Sequence, residues 1–375
     1  MGNVICKPSK VKSQSDIEII PEVINSNVSA PLTLQLIDKK LLNSENFRDN
    51  LQKIIFIQSY FRGFLSRKKY CLKKDLISYS DNVANKSPET CENNLIEEGI
   101  QLLKTIESKF GLYDYSKSQY KDLLSNLIEK GPYQIDNNSI YIGYWDKKGY
   151  RHGPGIMIWN NISVYEGDWD KDKGNGYGRY INKNLEIFEG SWICGKVDGF
   201  GKYISKDGTS YIGFWKDNKP HGQGEQQMNG GSNYFGEFSE GFKHGFGKYS
   251  WSDNSSYEGQ FCFNMIQGLG IFKWEDGRSY TGQWKNGKFH GAGEFIWPDG
   301  RKFSGEYYEN KKNGYGLFQW KNGIQYKGFW KDGKQNGKGI IQLSKNEFKE
   351  GIWEDGKLIS WGEEKQNEVS KNSEA

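Results

Sequence analysis

From Tyr141 to about Trp353, aromatic and small residues alternate with polar ones at a spacing of two, in short runs broken by glycine-bearing turns. Period two is strand spacing, so Tyr280, Gly282 and Trp284 share one face while Thr281 and Gln283 take the other. The turn Lys285-Asn286-Gly287-Lys288 follows, and Asn-Gly favours a tight hairpin because both residues accept positive φ. His290-Gly291-Ala292-Gly293 then leads into a second alternating strand through Phe295 and Trp297, and Pro298-Asp299-Gly300-Arg301 turns the chain again. The pattern predicts one β-hairpin per unit. Ahead of it the spacing changes to three and four. Ile54, Ile57, Phe61, Phe64 and Leu65 predict an amphipathic helix, with Ser44 as the N-cap where it starts. Leu95, Ile96, Ile100, Leu102, Leu103 and Ile106 predict a second helix. Leu123, Leu124, Leu127 and Ile128 predict a third, stopped by Gly131-Pro132. These last two are expected to cap the first hairpin, because the end of an array otherwise leaves an apolar face and a strand edge open. Ser78 to Glu92, with Pro88, is polar and is expected to be a loop.

The hairpin unit recurs. Its phrase, aromatic-x-Gly-x-aromatic, begins at Tyr141, Tyr165, Phe188, Tyr211, Tyr234, Tyr257, Tyr280, Phe303 and Tyr326. A degenerate tenth copy ends at Gly351-Ile352-Trp353, with Lys349 in place of the first aromatic. The first step is 24 residues and every later step is 23, a period that marks a stacked array. One hairpin cannot bury its own rings, so its neighbours are expected to supply the core, with rings of the adjoining hairpin fitting over the glycines.

The phrases Y-x-G-x-W and H-G-x-G resemble MORN repeats (membrane occupation and recognition nexus), over residues 141 to 353. The resemblance implies a mainly β fold, an elongated single-layer antiparallel β-hairpin solenoid; the spacing places α-helices ahead of it, and the chain to about Leu41, mixing Ser, Asn, Pro and Val with no helical or strand period, reads as a disordered N-terminal tail. At two strands per repeat and about 4.8 Å between strands, nine repeats would extend roughly 90 Å. The expected segments are a tail over 1–43, a basic helix over 44–76, a linker with capping helices over 77–140, the array over 141–355 and a polar tail over 356–375.

Composition narrows the function classes. Apolar residues are 35 %, glycines number 47 and aromatics reach 15 %, which fits short strands and tight turns rather than one large aliphatic core. A net charge of +4 does not make the chain a polyanion binder, and no nucleic-acid partner is expected. The five cysteines are scattered and form no CxxC pair, which argues for a reducing compartment and against structural zinc. No apolar run is long enough to span a bilayer, and the N-terminus lacks the apolar stretch of a secretory signal. Membrane attachment is therefore expected through lipid or a surface contact. Gly2 behind Met1 is the acceptor that N-myristoylation requires, although Cys6 stands where the consensus asks for Ser or Thr. One myristoyl chain binds only marginally, and palmitoylation of Cys6 would make the attachment durable. Lys7, Lys10 and Lys12 add attraction to acidic phospholipid.

Between Leu51 and Lys74 there are seven basic residues and no acidic one, the signature of a helix that meets a partner helix or a membrane surface. The run Ile57-Gln58-Ser59-Tyr60-Phe61-Arg62-Gly63-Phe64-Leu65-Ser66-Arg67 resembles the IQ calmodulin-binding motif at every defined position, with Tyr70 as the large residue three places on. The resemblance implies that Ile57 plugs an apolar pocket of one calmodulin lobe and Gln58 bonds backbone at its edge. Gly63 lets the helix lie close, and Arg62 and Arg67 face acidic surface. Spaced apolar anchors in a Met-rich groove are a known recognition mode, to which Phe61 contributes. Packing of this helix on the array, or on a membrane surface, is the plainer reading.

All four histidines, His152, His221, His244 and His290, occupy the H-G-x-G slot. Successive copies stand roughly 10 Å apart, too far to share one ion, so no metal is expected and they read as turn residues. Gly174-Asn175-Gly176-Tyr177-Gly178 lacks the ending of a phosphate loop and reads as hairpin glycines. No cofactor is expected. Only 22 residues follow Trp353, and residues 1–140 hold no nucleophile–base pair or nucleotide fingerprint, so the expectation is not an enzyme. It is a membrane-tethered scaffold that binds calmodulin or a calmodulin-like light chain through its helix and a client protein along its repeats. The cytoplasmic face of a membrane, at cell cortex or cilium, follows from family analogy alone. The alternative is a phospholipid-binding module in which the repeats themselves read the membrane.

Overall fold

The structure is a computed structural model that describes residues 92–120, 124–160, 162–344 and 347–362. The described residues divide into two compact units, one over 92–242 and the other over 243–362. Both are antiparallel sheets in which each strand pairs with the next in sequence.

The first unit opens with helix α1 (Glu92–Phe110) and a short 3-10 turn (Tyr115–Lys117). Ten strands follow. They are β1 (Ile128–Asp136), β2 (Ser139–Trp145), β3 (Arg151–Trp159), β4 (Ser163–Asp170) and β5 (Lys173–Ile181), then β6 (Ile187–Ile193), β7 (Lys196–Ile204), β8 (Ser210–Lys216), β9 (Lys219–Gln227) and β10 (Asn233–Ser239). The second unit starts at Lys243, inside β11 (Phe242–Ser250). It continues through β12 (Ser256–Cys262), β13 (Met265–Lys273), β14 (Ser279–Lys285), β15 (Lys288–Ile296) and β16 (Lys302–Tyr308), then β17 (Lys311–Gln319), β18 (Gln325–Lys331), β19 (Lys334–Ser344), β20 (Glu347–Glu354) and β21 (Lys357–Trp361). The fold is mainly β and each repeat is a hairpin, as the period-two pattern predicts. The degenerate tenth copy also folds as one, β20 with β21. There Lys349 is buried and its Nζ lies 4.5 Å from the Trp361 ring centroid, so a cation–π contact replaces a ring pair.

Two turn types alternate. The tight turn is Asn286-Gly287, with φ of 52° and 73°, which matches the right-handed twist of its strands. The wider turn is closed by Gly277 N–H donating to the Trp274 carbonyl at 3.1 Å and Trp274 N–H donating to the Arg278 carbonyl at 2.9 Å. The H-G-x-G slot is neither turn. It is a bulge within the second strand: Gly282 faces Gly293 but Gln283 faces His290, leaving Gly291 and Ala292 unmatched.

The third predicted helix is a correction. Leu124–Asn126 forms one 3-10 turn, and Ile128 begins strand β1, which pairs with β2. A helical pattern of six residues is too short to stand alone in water, whereas the free edge of β2 offers a full ladder. Gly131 and Pro132 fall in the register irregularity between Lys130 and Tyr133, where a residue without an N–H is tolerated. Helix α1 forms as predicted but does not close the end of the array. Its Ile106 packs with Ile158, Val164, Ile181 and Ile187 on the face of β3 to β6, flanked by Leu102, Leu103 and Phe110.

Candidate functional site

The ring face of the sheet is closed upon itself. In each repeat the first aromatic lies over the glycine pair of its own hairpin: a Cβ on Gly282 or Gly293 would sit within 2.7 Å of the Tyr280 hydroxyl. The expectation that the neighbouring hairpin fills this space is therefore corrected. What the neighbour supplies is the edge-on ring. Tyr257 meets Trp284 of the next repeat at 5.4 Å and 84°, and Tyr280 meets Tyr307 at 5.3 Å and 88°. The polar ends are satisfied by backbone. The Tyr280 hydroxyl donates to the Gln283 carbonyl at 2.9 Å, and Trp284 Nε1 donates back to the Gly270 carbonyl at 3.2 Å, in the preceding repeat. Residues 243–362 add a second ring row not recognised in the sequence reading as a stack: Tyr249, Trp251, Phe272, Trp274, Phe295, Trp297, Phe318 and Trp320, with successive centroids 4.4 to 5.7 Å apart. Its signal was a tryptophan recurring every 23 residues from Trp251 to Trp320.

The tight-turn edge carries an ion-pair ladder between repeats. Lys196 with Asp217, Lys219 with Glu240, Lys288 with Glu309 and Lys311 with Asp332 stand 2.7 to 3.1 Å apart. Exposed pairs of this kind contribute little stability each. They are reinforced by backbone, as where Gly287 N–H donates to the Ile266 carbonyl at 2.9 Å.

The opposite face is where the two units present different chemistry. In residues 92–242 the part of it over β3 to β6 is covered by a strap, α1 and the segment up to Tyr120. Under it, Glu166 on β4 and Arg179 on β5 are direct cross-strand partners, each about 3 % exposed. Arg179 Nε donates to Glu166 Oε2 at 2.7 Å, and a second guanidinium nitrogen donates to the Gly111 carbonyl at 2.9 Å. Burial pushes the Glu166 carboxyl above its usual range, and Arg179 opposes that shift. Asp168 accepts from Ser118 Oγ at 2.5 Å and from the Gln119 N–H at 2.9 Å. Lys117 Nζ donates to the Tyr177 hydroxyl at 2.8 Å and to Glu189 at 3.3 Å, and Tyr113 donates to the Tyr177 carbonyl at 2.9 Å. The strap settles here because only these repeats carry an apolar row for α1. One repeat after another, Ile187 becomes Ser210, Asn233, Ser256 and Ser279. These strap residues carry no repeat signature of their own. The isoleucine row that runs from Ile140 to Ile204 and ends at Ser210 was the available signal.

Of the residues singled out in the sequence, Gly2, Cys6, Ile57, Gln58, Phe61, Arg62, Gly63, Arg67 and Tyr70 lie outside the described residues. The histidines stand at bulges rather than turns. His152 Nδ1 faces Asp170 at 3.1 Å and His221 faces Glu240 at 3.7 Å, while His290 lies 5.3 Å from the Tyr308 ring. Among the described residues no three metal-ligating side chains gather, and no helix is long and apolar enough to cross a membrane. Gly174 to Gly178 lies within strand β5, as hairpin glycines do.

Comparison with known proteins agrees with this geometry. The model of the MORN repeat matches nine segments: 141–161, 165–184, 188–210, 211–232, 234–256, 257–277, 280–300, 303–325 and 326–346. That of the IQ calmodulin-binding motif matches residues 51–71. No curated protein matches the chain. Among solved structures, the TCP domain of Drosophila melanogaster SAS-4 with a proline-rich motif of Ana2 is 12 % identical, over 48 % of this chain and 84 % of that one, with a TM-score of 0.27. The TCP10 domain of Danio rerio CPAP with a STIL peptide is 11 % identical, over 63 % and 98 %, with a TM-score of 0.26. A streptogramin B lyase is 10 % identical, over 60 % and 84 %, at 0.15. Scores this low carry no argument about this chain.

Proposed function

Because the chain belongs to the MORN-repeat family, we propose that it is a non-enzymatic scaffold, tethered to a membrane and engaging calmodulin or a calmodulin-like light chain ahead of its repeats. The observation that carries this reading is the IQ match at residues 51–71, upstream of nine repeats whose ring face is occupied by its own side chains. Both matched families are binding modules rather than catalytic ones. In the motif Ile57 is the apolar anchor, Gln58 the polar edge contact, and Arg62 and Arg67 the groups that face acidic surface. Phe61, Gly63 and Tyr70 shape the contact. The repeats then serve as the rigid part, and a client protein binds along their outer face.

Titration of the full chain with calmodulin, with and without calcium, tests the first half. Wild type binds in at least one state, and Ile57→Asp weakens that binding at least about 30-fold, the loss of one hot-spot anchor. No binding in either state overturns the reading. The tether rests on Gly2 and Cys6, a two-chain attachment. Fractionation of cells expressing the full chain places wild type in the membrane pellet and Gly2→Ala in the supernatant. Wild type in the supernatant removes the tether. A cortical or ciliary address is the family expectation, and fluorescence microscopy of the tagged full chain tests it.

A further inference from the structure

The strap shows what the outer face of this sheet accepts, and the repeat shows where that acceptance recurs. Six repeats after the strap site, every position has a counterpart 138 residues on, because the 23-residue period holds from Tyr165 onward. Asp168 becomes Glu306, again an acid against a bulge glycine, Gly176 in one case and Gly314 in the other. Tyr177 becomes Tyr315. The buried pair Glu166 and Arg179 becomes Ser304 and Leu317. Ser191 becomes Phe329, and Glu189 becomes Lys327. The isoleucine row that holds α1 does not recur, since Val164, Ile181 and Ile187 become Lys302, Gln319 and Gln325.

Among the described residues nothing covers this second site. The Phe329 side chain is 50 % exposed, and its ring stands 5.3 Å from that of Tyr315 at 71°, its direct cross-strand partner. Lys327 lies between Leu317 and Ile340, its partners on the two neighbouring strands. The floor is thus aromatic and aliphatic, with an acceptor carboxylate at one side and a cation where the strap site has an anion.

Building on the scaffold reading, we propose that the outer face of β16 to β19 is the client-docking surface, and that it takes an extended peptide segment of a partner protein. The segment presents an aromatic side chain to Tyr315 and Phe329, a hydroxyl or backbone N–H to Glu306, and an acidic residue to Lys327. It lies as residues 113–119 lie on β4 to β6, with the charge of its central residue reversed. In the strap, Lys117 meets Glu189 and Tyr177 while Ser118 and Gln119 meet Asp168. With Lys327 in place of Glu189, a lysine in the peptide is repelled and a glutamate is attracted. An amphipathic helix is not the occupant, because its row is polar here.

The probe is a fluorescein-labelled synthetic peptide of residues 112–121 carrying Lys117→Glu, compared with the unaltered peptide and titrated with the full chain. Fluorescence anisotropy is expected to show the glutamate peptide binding at least about tenfold more tightly than the lysine peptide. Lys327→Glu in the full chain reverses the preference, and Phe329→Ala weakens the glutamate peptide about tenfold or more. Phe329 is exposed and Lys327 partly buried, and circular dichroism checks that each variant keeps its fold. Equal binding of the two peptides, or binding that neither substitution alters, overturns the proposal, since the peptide would then be exchanging with the native strap. A photo-cross-linking benzoylphenylalanine at position 329 that captures residues 1–91 of the same chain, or a second copy, also overturns it. Calmodulin is titrated into the same samples. A chain that binds calmodulin but not the peptide refutes this surface and leaves the scaffold reading standing.

Discussion

Gly282→Ala is expected to open the hairpin that carries it, at a cost of about 3 kcal/mol, the upper range for overpacking a closed site. A methyl at Gly282 would meet the Gly293 Cα at 2.5 Å, the Ala292 carbonyl at 2.7 Å and the Tyr280 hydroxyl at 2.7 Å. Two of these are backbone of the paired strand and cannot swing away. The third belongs to a ring that is fully buried and stacked on Phe289 with centroids 3.9 Å apart. Relief therefore requires the paired strands to part and the ring to leave its seat, which uncovers the edge-on contact with Tyr307 in the next repeat. Each repeat leans on its neighbours, so the loss spreads to the adjoining hairpins. Native-state hydrogen exchange is the measurement. Amides of β14 and β15 are expected to lose roughly two orders of magnitude of protection, which is what about 3 kcal/mol of local opening amounts to. Gly230→Ala is the control, because a Cβ there meets nothing within 4 Å, and it is expected to change stability by less than about 0.5 kcal/mol. Equal exchange in wild type and Gly282→Ala would show that the ring seat yields.

Arg179→Ala is expected to cost about 3–5 kcal/mol, the usual result of leaving one member of a buried ion pair alone. Glu166 keeps its burial beneath the strap while losing both its countercharge and its hydrogen bond. The Gly111 carbonyl loses the donor that ties the end of α1 to the sheet. Limited proteolysis should then cut residues 92–120 in the variant at protease levels that leave wild type intact. The pH dependence follows from the Glu166 carboxyl, whose folded pKa already stands above 4.5 through burial and loses its opposing influence with Arg179. A raised carboxyl pKa favours the folded state most below the unfolded value and loses that contribution as pH rises through the folded one. The variant is accordingly expected to recover stability on acidification from pH 7 towards 4.5, by more than wild type does. Replacing both residues together, Glu166→Gln with Arg179→Met, should cost far less than Arg179→Ala, because no charge is then left buried. A double variant as unstable as the single one would assign the loss to packing.

Much of this architecture is legible in one sequence because its determinants are local. Period-two alternation places Tyr280 and Trp284 on one face, and Asn286-Gly287 closes a hairpin by φ preference alone. A phrase repeated every 23 residues then forces neighbouring hairpins to share a core. The IQ match is legible for the same reason, since its anchors lie within one helix-length run. What the sequence left open depended on competition between distant parts of the chain. Leu123 to Ile128 read as a helix until the free edge of β2 was there to pair with. The space above Gly282 and Gly293 could have been filled from either neighbour, and ring geometry assigned it to the hairpin's own Tyr280. The strap depends on contacts between residues 49 to 72 positions apart, such as Gln119 with Asp168 and Lys117 with Glu189. The sequence alone therefore determined the repeat, its strands, its turns and its ring face. Only the tertiary structure decided which stretch of outer face the described strap covers, because that depends on where a non-repeating segment finds an apolar row long enough to hold a helix.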